Sequence, residues 1–300
     1  MRRIILDTDM GNDVDDVLAL AVLHSLHQKG RIILDSILVS KDAEKAPIFT
    51  ELFGLKCGSP VPVAKADRGI AIPFETYLHL TGIFLERDPK TKVKLSKEYP
   101  AASTLLKERL EAAEDKSIDL LTIGFLSNIG DFLKDEANVA LFNQKVARIF
   151  MMAGNYEKKQ PEFNVMMDIP SFKLTLEKFD GPVTFVGFEL GRVRYPETSI
   201  RRLYEEGVHE MLWLSYFSYA DRPHHRQTWD PLTALVASGC FEDSFGLSKP
   251  GEVTVEGNGV TVHKPQEDGR HRFVTLTGPQ ETTLKKAMVS LIENLGLPVI

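Results

Sequence analysis

The stretch that decides the fold is RIILDTDMGNDVDDVLALAV, residues 3–22. Its apolar run at residues 4–6 does not alternate with polar residues, which is typical of a buried strand in a parallel sheet. Gly11 and Asn12 then provide a tight turn, because glycine adopts backbone conformations that other residues avoid. Apolar residues follow at positions 14, 17, 18, 21 and 22, the spacing of a helix that packs on a sheet. The stretch therefore predicts a strand, a turn and a helix.

The turn is densely acidic. Residues 7–16 contain five carboxylates, and no Lys or Arg lies between Arg3 and Lys29 to neutralise them. Carboxylates this close raise one another's pKa unless a cation compensates for their charge. Asp7 and Asp9 are two residues apart, so we expect both side chains to leave the strand on the same side, at the sheet edge where open α/β folds bind ligands. The pattern predicts a divalent metal site.

A plainer interpretation explains part of this cluster. Acidic side chains in the first turn of a helix interact favourably with the helix dipole, at about 0.3–1 kcal/mol each. Asp13 stands where an N-cap residue belongs, and Asp15 and Asp16 fall in the first turn. Capping does not explain Asp7 and Asp9, which precede the turn. We therefore favour the metal site.

Short apolar runs alternate with helical patterns along the rest of the chain. Strands are predicted at residues 32–34 with 36–39, 119–123, 147–152 and 183–186, and helices at about 43–55, 100–115, 127–142 and 170–179. This alternation predicts an α/β fold with a doubly wound, mostly parallel sheet flanked by helices. Residues 250–276 instead predict a small antiparallel β appendage near the C-terminus with an Asn-Gly turn, followed by a closing helix at 279–295. We expect a single domain over residues 1–300.

Composition and charge narrow the choice of partner. The chain has 300 residues, of which 43% are hydrophobic and 26% charged, enough to bury a substantial core. A net charge of −6 without a basic face argues against nucleic-acid and acidic-membrane binding and favours a small-molecule substrate. Cys57 and Cys240 form neither a disulfide framework nor a metal-ligand pattern. With no leader-like segment and no run of about 18 apolar residues, we expect a cytoplasmic protein, whose assembly into a homo-oligomer stays open.

Four motifs occur in an order that resembles one family. The opening D-T-D-x-G-x-D-x-D-D-x-x-A-L spans residues 7–20, and it is followed by TIGFLSN at 122–128, EFN at 162–164 and WDPL at 229–232. This set resembles the nucleoside hydrolases, the calcium-dependent N-ribohydrolases, from Arg3 to about Val236. The opening motif is specific, whereas the others are informative only as an ordered set. The resemblance implies a metal-dependent hydrolase of nucleoside N-glycosidic bonds.

The resemblance also implies roles for individual residues. In the family, Ca²⁺ is held by first-loop aspartates, by a backbone carbonyl and by a late aspartate, which correspond here to Asp9, Asp15, Asp16, the carbonyl of Ile123, and Asp230. Oxygen ligands in that number suit Ca²⁺ better than zinc, which prefers His or Cys. Asp9 corresponds to the carboxylate that takes a proton from water. The groups that correspond to those binding ribose hydroxyls and metal-bound oxygens are Asn155, Glu162 and Asn164.

The chain departs from the family pattern at three places. Two extra residues precede the paired aspartates, so Asp13 replaces or joins a metal ligand. Trp229 stands where many pyrimidine-tolerant members carry a histidine acid, which resembles the purine-preferring arrangement. An indole stacks on a purine, at about 0.5–1.5 kcal/mol, although a lone Trp is commonly core packing. Ser40 occupies the position of the family's ribose-contacting asparagine, so the sugar can differ from ribose.

Each assignment has a structural alternative. Asp230 precedes Pro231 and is also suited to cap a helix. Glu162 and Asn164 could be surface loop residues, and Asn155 after a glycine could form a turn. The adjacent His224 and His225 could donate a proton to the leaving base or could be solvated loop residues.

Three hypotheses follow. The favoured one is a nucleoside N-ribohydrolase that prefers purines. The second is a phosphohydrolase of the haloacid-dehalogenase type, because a D-x-D after a first strand can also carry an aspartyl nucleophile. The third is a carbohydrate- or nucleoside-binding relative that keeps the metal but lacks turnover. The second leaves the paired aspartates and Asp230 without a shared role.

Overall fold

A computed structural model describes residues 1–73, 75–96, 98–220 and 222–296. Its strands are β1 (Arg2–Thr8), β2 (Ile32–Val39), β3 (Val63–Ala64), β4 (Ile118–Thr122), β5 (Val146–Met152), β6 (Val183–Val186), β7 (Arg194–Tyr195), β8 (Arg226–Gln227), β9 (Gly246–Leu247), β10 (Gly251–Val255), β11 (Thr261–Pro265) and β12 (His271–Thr275). Ten of these form one sheet in the order β11-β10-β12-β6-β5-β4-β1-β2-β3, with β9 paired to β12.

Helices cover this sheet. They are α1 (Asp15–Gln28), α2 (Lys45–Lys56), α3 (Leu80–Arg87), α4 (Pro89–Lys94), α5 (Ala102–Glu111), α6 (Ser127–Phe132), α7 (Glu136–Lys145), α8 (Phe163–Met167), α9 (Ile169–Lys178), α10 (Glu197–Glu205), α11 (Glu210–Tyr219), α12 (Trp229–Ser238) and α13 (Gly278–Glu293), with 3₁₀ turns at Phe188–Arg192 and Glu242–Ser244. Two buried apolar clusters result. Among the described helices, none is long and apolar enough to cross a membrane.

The parallel part of the sheet confirms the predicted α/β fold. β1 lies between β2 and β4, and both pairings are parallel. β2 and β3 extend the sheet on one side of β1, whereas β4, β5 and β6 extend it on the other. The chain thus reverses its direction of winding at the boundary of β1 and β4. Loops that leave the carboxyl ends of these two strands diverge and open a crevice, which is where doubly wound folds bind ligands.

The antiparallel appendage is present but continues the main sheet. β10 and β11 form the predicted hairpin, with Val253 opposite His263. β12 pairs in parallel with β6, with Arg272 opposite Thr184. The appendage therefore attaches through β12 to the edge that β6 would otherwise expose. A separate two-stranded antiparallel sheet joins β7 and β8.

Several predicted boundaries change. The helix expected at 127–142 is two helices, because Asp135 caps α7 by accepting a hydrogen bond from the amide of Ala137. The prediction of Asp13 as N-cap was wrong, since α1 begins at Asp15 with Val14 at the N-cap position. Asp230 lies inside the first turn of α12 and is not its cap. The expected single domain stays a prediction, and its last residues, 297–300, lie outside the described residues.

Candidate active site

The loop between β1 and α1 is held in one conformation by the segment around Tyr77. Gly11 has a φ of +127°, and a Cβ there would lie 2.7 Å from Leu78, so other residues are excluded by both strain and space. The Gly11 amide donates to the Tyr77 hydroxyl at 2.8 Å, and that hydroxyl donates to the Asp13 carbonyl at 2.9 Å. These bonds fix the acidic turn before any ligand is added.

Three buried carboxylates converge at the carboxyl edge of the sheet. Asp15 and Asp16 come from the first turn of α1, and Asp230 comes from the first turn of α12. One carboxylate oxygen from each lies within 4.8 Å of the others, and the three residues are at most 5% exposed. Burial, and then the charge of neighbouring aspartates, raises the pKa of all three carboxyls well above the ordinary value. The N-terminal turns of α1 and α12 thus bring three carboxyl groups together in a site that is shielded from water.

Asp9 lies beside this cluster and is oriented by its own partners. The Asn12 amide donates to Asp9 Oδ2 at 3.1 Å, and the ammonium of Lys41 donates to Asn12 Oδ1. Burial raises the pKa of Asp9 to about 7, while the bond from Asn12 opposes that rise. Gly124 allows β4 to come this close, because a Cβ there would lie 2.4 Å from the Asp9 amide nitrogen.

Asp13 is occupied by an ion pair. Arg226 Nε donates to Asp13 Oδ1 at 2.9 Å, and Arg226 Nη2 donates to Asp13 Oδ2. Such a bidentate pair uses both carboxylate oxygens. Arg226 is 6% exposed and lies over the rings of Tyr219 and Trp229, with centroids 4.8 and 5.3 Å away. Arg226 therefore compensates the charge of Asp13, although Asp13 Oδ1 also accepts from the Asp15 amide at 3.3 Å.

The site fits a divalent cation. Asp9, Asp13, Asp15, Asp16 and Asp230 bring five carboxylates, whereas the described cations with interactions in the cluster are Arg226 and Lys41. The cluster of three offers only oxygen donors, which are the ligands of hard cations such as Ca²⁺ and Mg²⁺. The pKa values raised by burial show that the protein alone does not stabilise these charges.

Residues from β4 and α8 form the opposite wall. The Asn164 side-chain amide donates to the carbonyls of Ile123, at 3.2 Å, and Met152, at 3.1 Å. Glu162 caps α8 by accepting from the amides of Asn164 and Val165. Burial raises the pKa of Glu162 to about 7, although those backbone bonds oppose the rise. The carboxylate of Glu162 is therefore fixed at the cavity, with its side chain oriented by backbone groups.

Aromatic side chains close the cavity. Phe188 stacks on Trp229 with ring centroids 5.1 Å apart, and the Trp229 indole donates to the Phe188 carbonyl at 2.7 Å. Phe163 and Phe188 are 42% and 47% exposed, high values for large apolar side chains. The cavity has a volume of about 400 Å³. It is lined by Asp9, Asn12, Asp13, Asp15, Asp16, Ile123, Met152, Glu162, Phe163, Asn164, Phe188, Tyr219, Arg226, Trp229 and Asp230.

The structure places other expected residues away from this cavity. Ser40 is fully buried next to Asp7, whose carboxylate accepts from Asn128 at 2.8 Å. Asn155 forms a turn in which its Oδ1 accepts from the Lys158 amide at 2.9 Å. Neither Ser40 nor Asn155 lines the cavity.

The two histidines also lie outside the cavity lining. The His224 ring packs against Tyr216, and His225 Nδ1 accepts from the Glu197 amide at 3.2 Å. Sequence reasoning did not find Arg226, Tyr219, Phe188 or the pair of Asn12 and Lys41. The one available signal was the two-residue insertion, because Asn12 and Asp13 make these new contacts.

The acidic cluster lies at the switch point of a doubly wound sheet, which is where such folds bind ligands. A family model described as inosine-uridine preferring nucleoside hydrolase matches residues 4–289, and the chain belongs to this family. The family is metal-dependent and acts on nucleosides. The predicted resemblance is thereby confirmed, and the chain is an N-ribohydrolase by family rather than a phosphohydrolase.

Solved structures share the fold. An inosine-uridine preferring nucleoside hydrolase from Bacillus anthracis has a TM-score of 0.77 and 19% identity, covering 98% of this chain and 100% of that one. A purine-preferring ribonucleoside hydrolase from Gardnerella vaginalis has a TM-score of 0.75 and 16% identity, covering 98% and 99%. An inosine-guanosine nucleoside hydrolase has a TM-score of 0.72 and 18% identity, covering 98% and 99%. No curated protein sequence matched the chain.

Proposed function

We propose that this nucleoside hydrolase is calcium-dependent and prefers purine nucleosides, which it splits with water into the free base and the sugar. The observation that carries the proposal is the position of the buried carboxylates of Asp15, Asp16 and Asp230 in the same cavity as the stacked rings of Phe188 and Trp229. Acidic groups at one end suit a cation and sugar hydroxyls. Aromatic surface at the other end suits a flat base.

The calcium ligands in this proposal are Asp9, Asp15, Asp16, Asp230 and the carbonyl of Ile123. All five line the cavity and offer oxygen. The Ile123 carbonyl already accepts from Asn164, but a carbonyl oxygen has a second lone pair. Asp13 is left out, because the positive charge of Arg226, which binds both of its oxygens, already compensates its negative charge. A cation bound there supplies a water of lowered pKa.

Asp9 acts as the general base. Asn12 holds its Oδ2, so that the carboxylate has a defined direction when it takes a proton from the attacking water. The water oxygen forms a bond to the anomeric carbon as the bond from that carbon to the base nitrogen breaks. The electron pair of the broken bond goes to the base, which then takes up a proton. A positioned base of this kind typically contributes about 10²–10⁴ in rate.

Glu162 and Asn164 hold the sugar. Glu162 Oε2 accepts from the amides of Gly154 and Val165, whereas Oε1 accepts only from the amide of Asn164 and keeps further acceptor capacity. Both amide hydrogens of Asn164 point to backbone carbonyls, which leaves its Oδ1 as an acceptor. Hydroxyl groups of a pentose are donors that match these acceptors. Sugar contacts by Ser40 and Asn155 stay predictions, as do the cytoplasmic location and assembly into a homo-oligomer.

The test is a panel of inosine, guanosine, adenosine, uridine and cytidine, scored for release of reducing sugar with Ca²⁺ and with a chelator. We expect cleavage of purine nucleosides first and loss of cleavage on chelation. Phosphate release from p-nitrophenyl phosphate is the control for contaminating phosphatase. Tight nucleoside binding without sugar release would instead identify a binding protein, and cleavage that persists in chelator would refute the metal requirement.

A further inference from the structure

We propose that Arg226 recognises the leaving base through hydrogen bonds. It selects bases that present two adjacent hydrogen-bond acceptors, as the 6-oxopurines of inosine and guanosine do. The inference rests on the proposed function and adds the substrate class. It is carried by the cavity position of a guanidinium that is fixed on several sides by its neighbours.

The guanidinium of Arg226 is fixed in advance. Asp13 accepts two of its hydrogen bonds, and Gln227 Oε1 accepts a third from Nη1 at 2.9 Å. The rings of Tyr219 and Trp229 lie against it, which restricts rotation of the planar group. Because this order exists without substrate, little side-chain entropy is lost on binding.

Two donors remain for a ligand. Arginine has five N–H groups and no acceptor, and three of the five are used by Asp13 and Gln227. Within the described part of the chain, no protein acceptor is found for the other two. Arginine pairs bidentately with the O6 and N7 acceptors of guanine, and a good pair of this kind discriminates by about 5- to 150-fold. The 6-amino group of adenine is a donor and cannot accept one of these bonds.

The same contact favours departure of the base. As the glycosidic bond breaks, its electron pair makes the base more negative, and the fixed positive charge of Arg226 attracts that charge. Arginine keeps its proton throughout, because its guanidinium remains charged in proteins. The proton that completes the free base therefore comes from water. Arg226 is thus expected to affect kcat as well as KM.

The experiment measures kcat and KM for inosine, guanosine and adenosine on the wild-type protein with Ca²⁺, and on Arg226→Met and Arg226→Lys. We expect the ratio of kcat/KM for inosine over adenosine to fall about 5- to 150-fold in Arg226→Met. Arg226→Lys keeps the charge without the planar fork, so its ratio is expected to lie in between. Arg201→Lys is the matched control, because Arg201 is exposed and pairs with Glu197 on α10.

The outcomes separate the two proposals. An unchanged inosine-to-adenosine ratio in a folded Arg226→Lys or Arg226→Met, with wild-type cleavage intact, would overturn the role of Arg226 and leave the proposed function standing. A wild-type protein that cleaves no nucleoside would overturn both. Thermal melting reports folding, and if Arg226→Met does not fold, the ratio in Arg226→Lys decides. An equal loss for all three substrates would show a structural role only and would also overturn the inference.

Discussion

Asp230→Asn is expected to raise stability without calcium and to reduce the stabilisation that calcium gives. The carboxylate oxygens of Asp15, Asp16 and Asp230 lie within 4.8 Å of one another. At an effective dielectric constant of about 20, two charges at that distance repel by about 3 kcal/mol. The neutral amide of the variant would remove two of the three repulsions. The wild type relieves the same two repulsions by protonating one carboxyl, at a cost of about 4 kcal/mol at pH 7. The variant avoids that cost, so we expect a net gain of about 4 kcal/mol without metal.

Calcium narrows this difference in stability. A ligand at about 1,000 times its Kd stabilises the folded state by about 4 kcal/mol. If the loss of the Asp230 carboxylate weakens binding about 100-fold, about 1.4 kcal/mol of this stabilisation remains. Since roughly 2 °C of Tm corresponds to 1 kcal/mol in a chain of this size, the variant should melt about 8 °C higher in chelator and gain much less from calcium.

The assay is thermal melting by circular dichroism at pH 7, with chelator and then along a calcium titration. Asp243→Asn is the matched control, because Asp243 is exposed and does not line the cavity. The wild type and Asp243→Asn should behave alike. If Asp230→Asn melted below the wild type in chelator and gained the same Tm from calcium, Asp230 would not be a ligand and the cluster would not bind the ion.

Three further results are expected. Asp9→Asn should lower kcat by about 10²–10⁴ while nucleoside binding persists; near-normal turnover by this variant would exclude Asp9 as the base. Trp229→Leu should reduce kcat/KM for purine nucleosides about 2- to 12-fold relative to uridine, the value of an aromatic contact, and an equal effect on both would argue for core packing. Burial raises the pKa of Asp7 to about 8 in the folded protein, so below pH 4 its proton is bound in both states. From pH 4 to 8 the chelated protein should lose about 1.4 kcal/mol of stability per pH unit from this group, a slope that urea titrations of Asp7→Asn should lack.

The sequence predicted the site best where the evidence is local. The run at residues 4–6 and the helical spacing from residue 14 determine β1 and α1, because strand and helix periodicity follow from which side chains are buried. The five crowded carboxylates also indicated a cation from local sequence alone, since charges a few residues apart repel in almost any compact structure. The predicted helix ends were wrong by one or two residues. At the start of α1, for example, Val14 is the N-cap residue where Asp13 had been expected.

Contacts between residues far apart in the sequence could not be predicted from local sequence patterns. Asp230 reaches Asp15 across 215 positions, and Arg226 reaches Asp13 across 213. The family resemblance suggested the first contact, whereas nothing in the sequence suggested the second. The position of Ser40 in the chain suggested a sugar contact, and the fold buries Ser40 beside Asp7. That sugar contact stays a prediction.

The sequence alone thus determined the kind of chemistry: a parallel α/β sheet, an oxygen-rich acidic turn and a set of motifs shared with nucleoside hydrolases. The tertiary structure decided which carboxylates converge in one cluster, which one is bound to Arg226, and which aromatic rings line the cavity. The physical reason is that side-chain periodicity encodes local conformation, whereas the order of strands in the sheet sets which distant loops meet. That order depends on the packing of the whole chain.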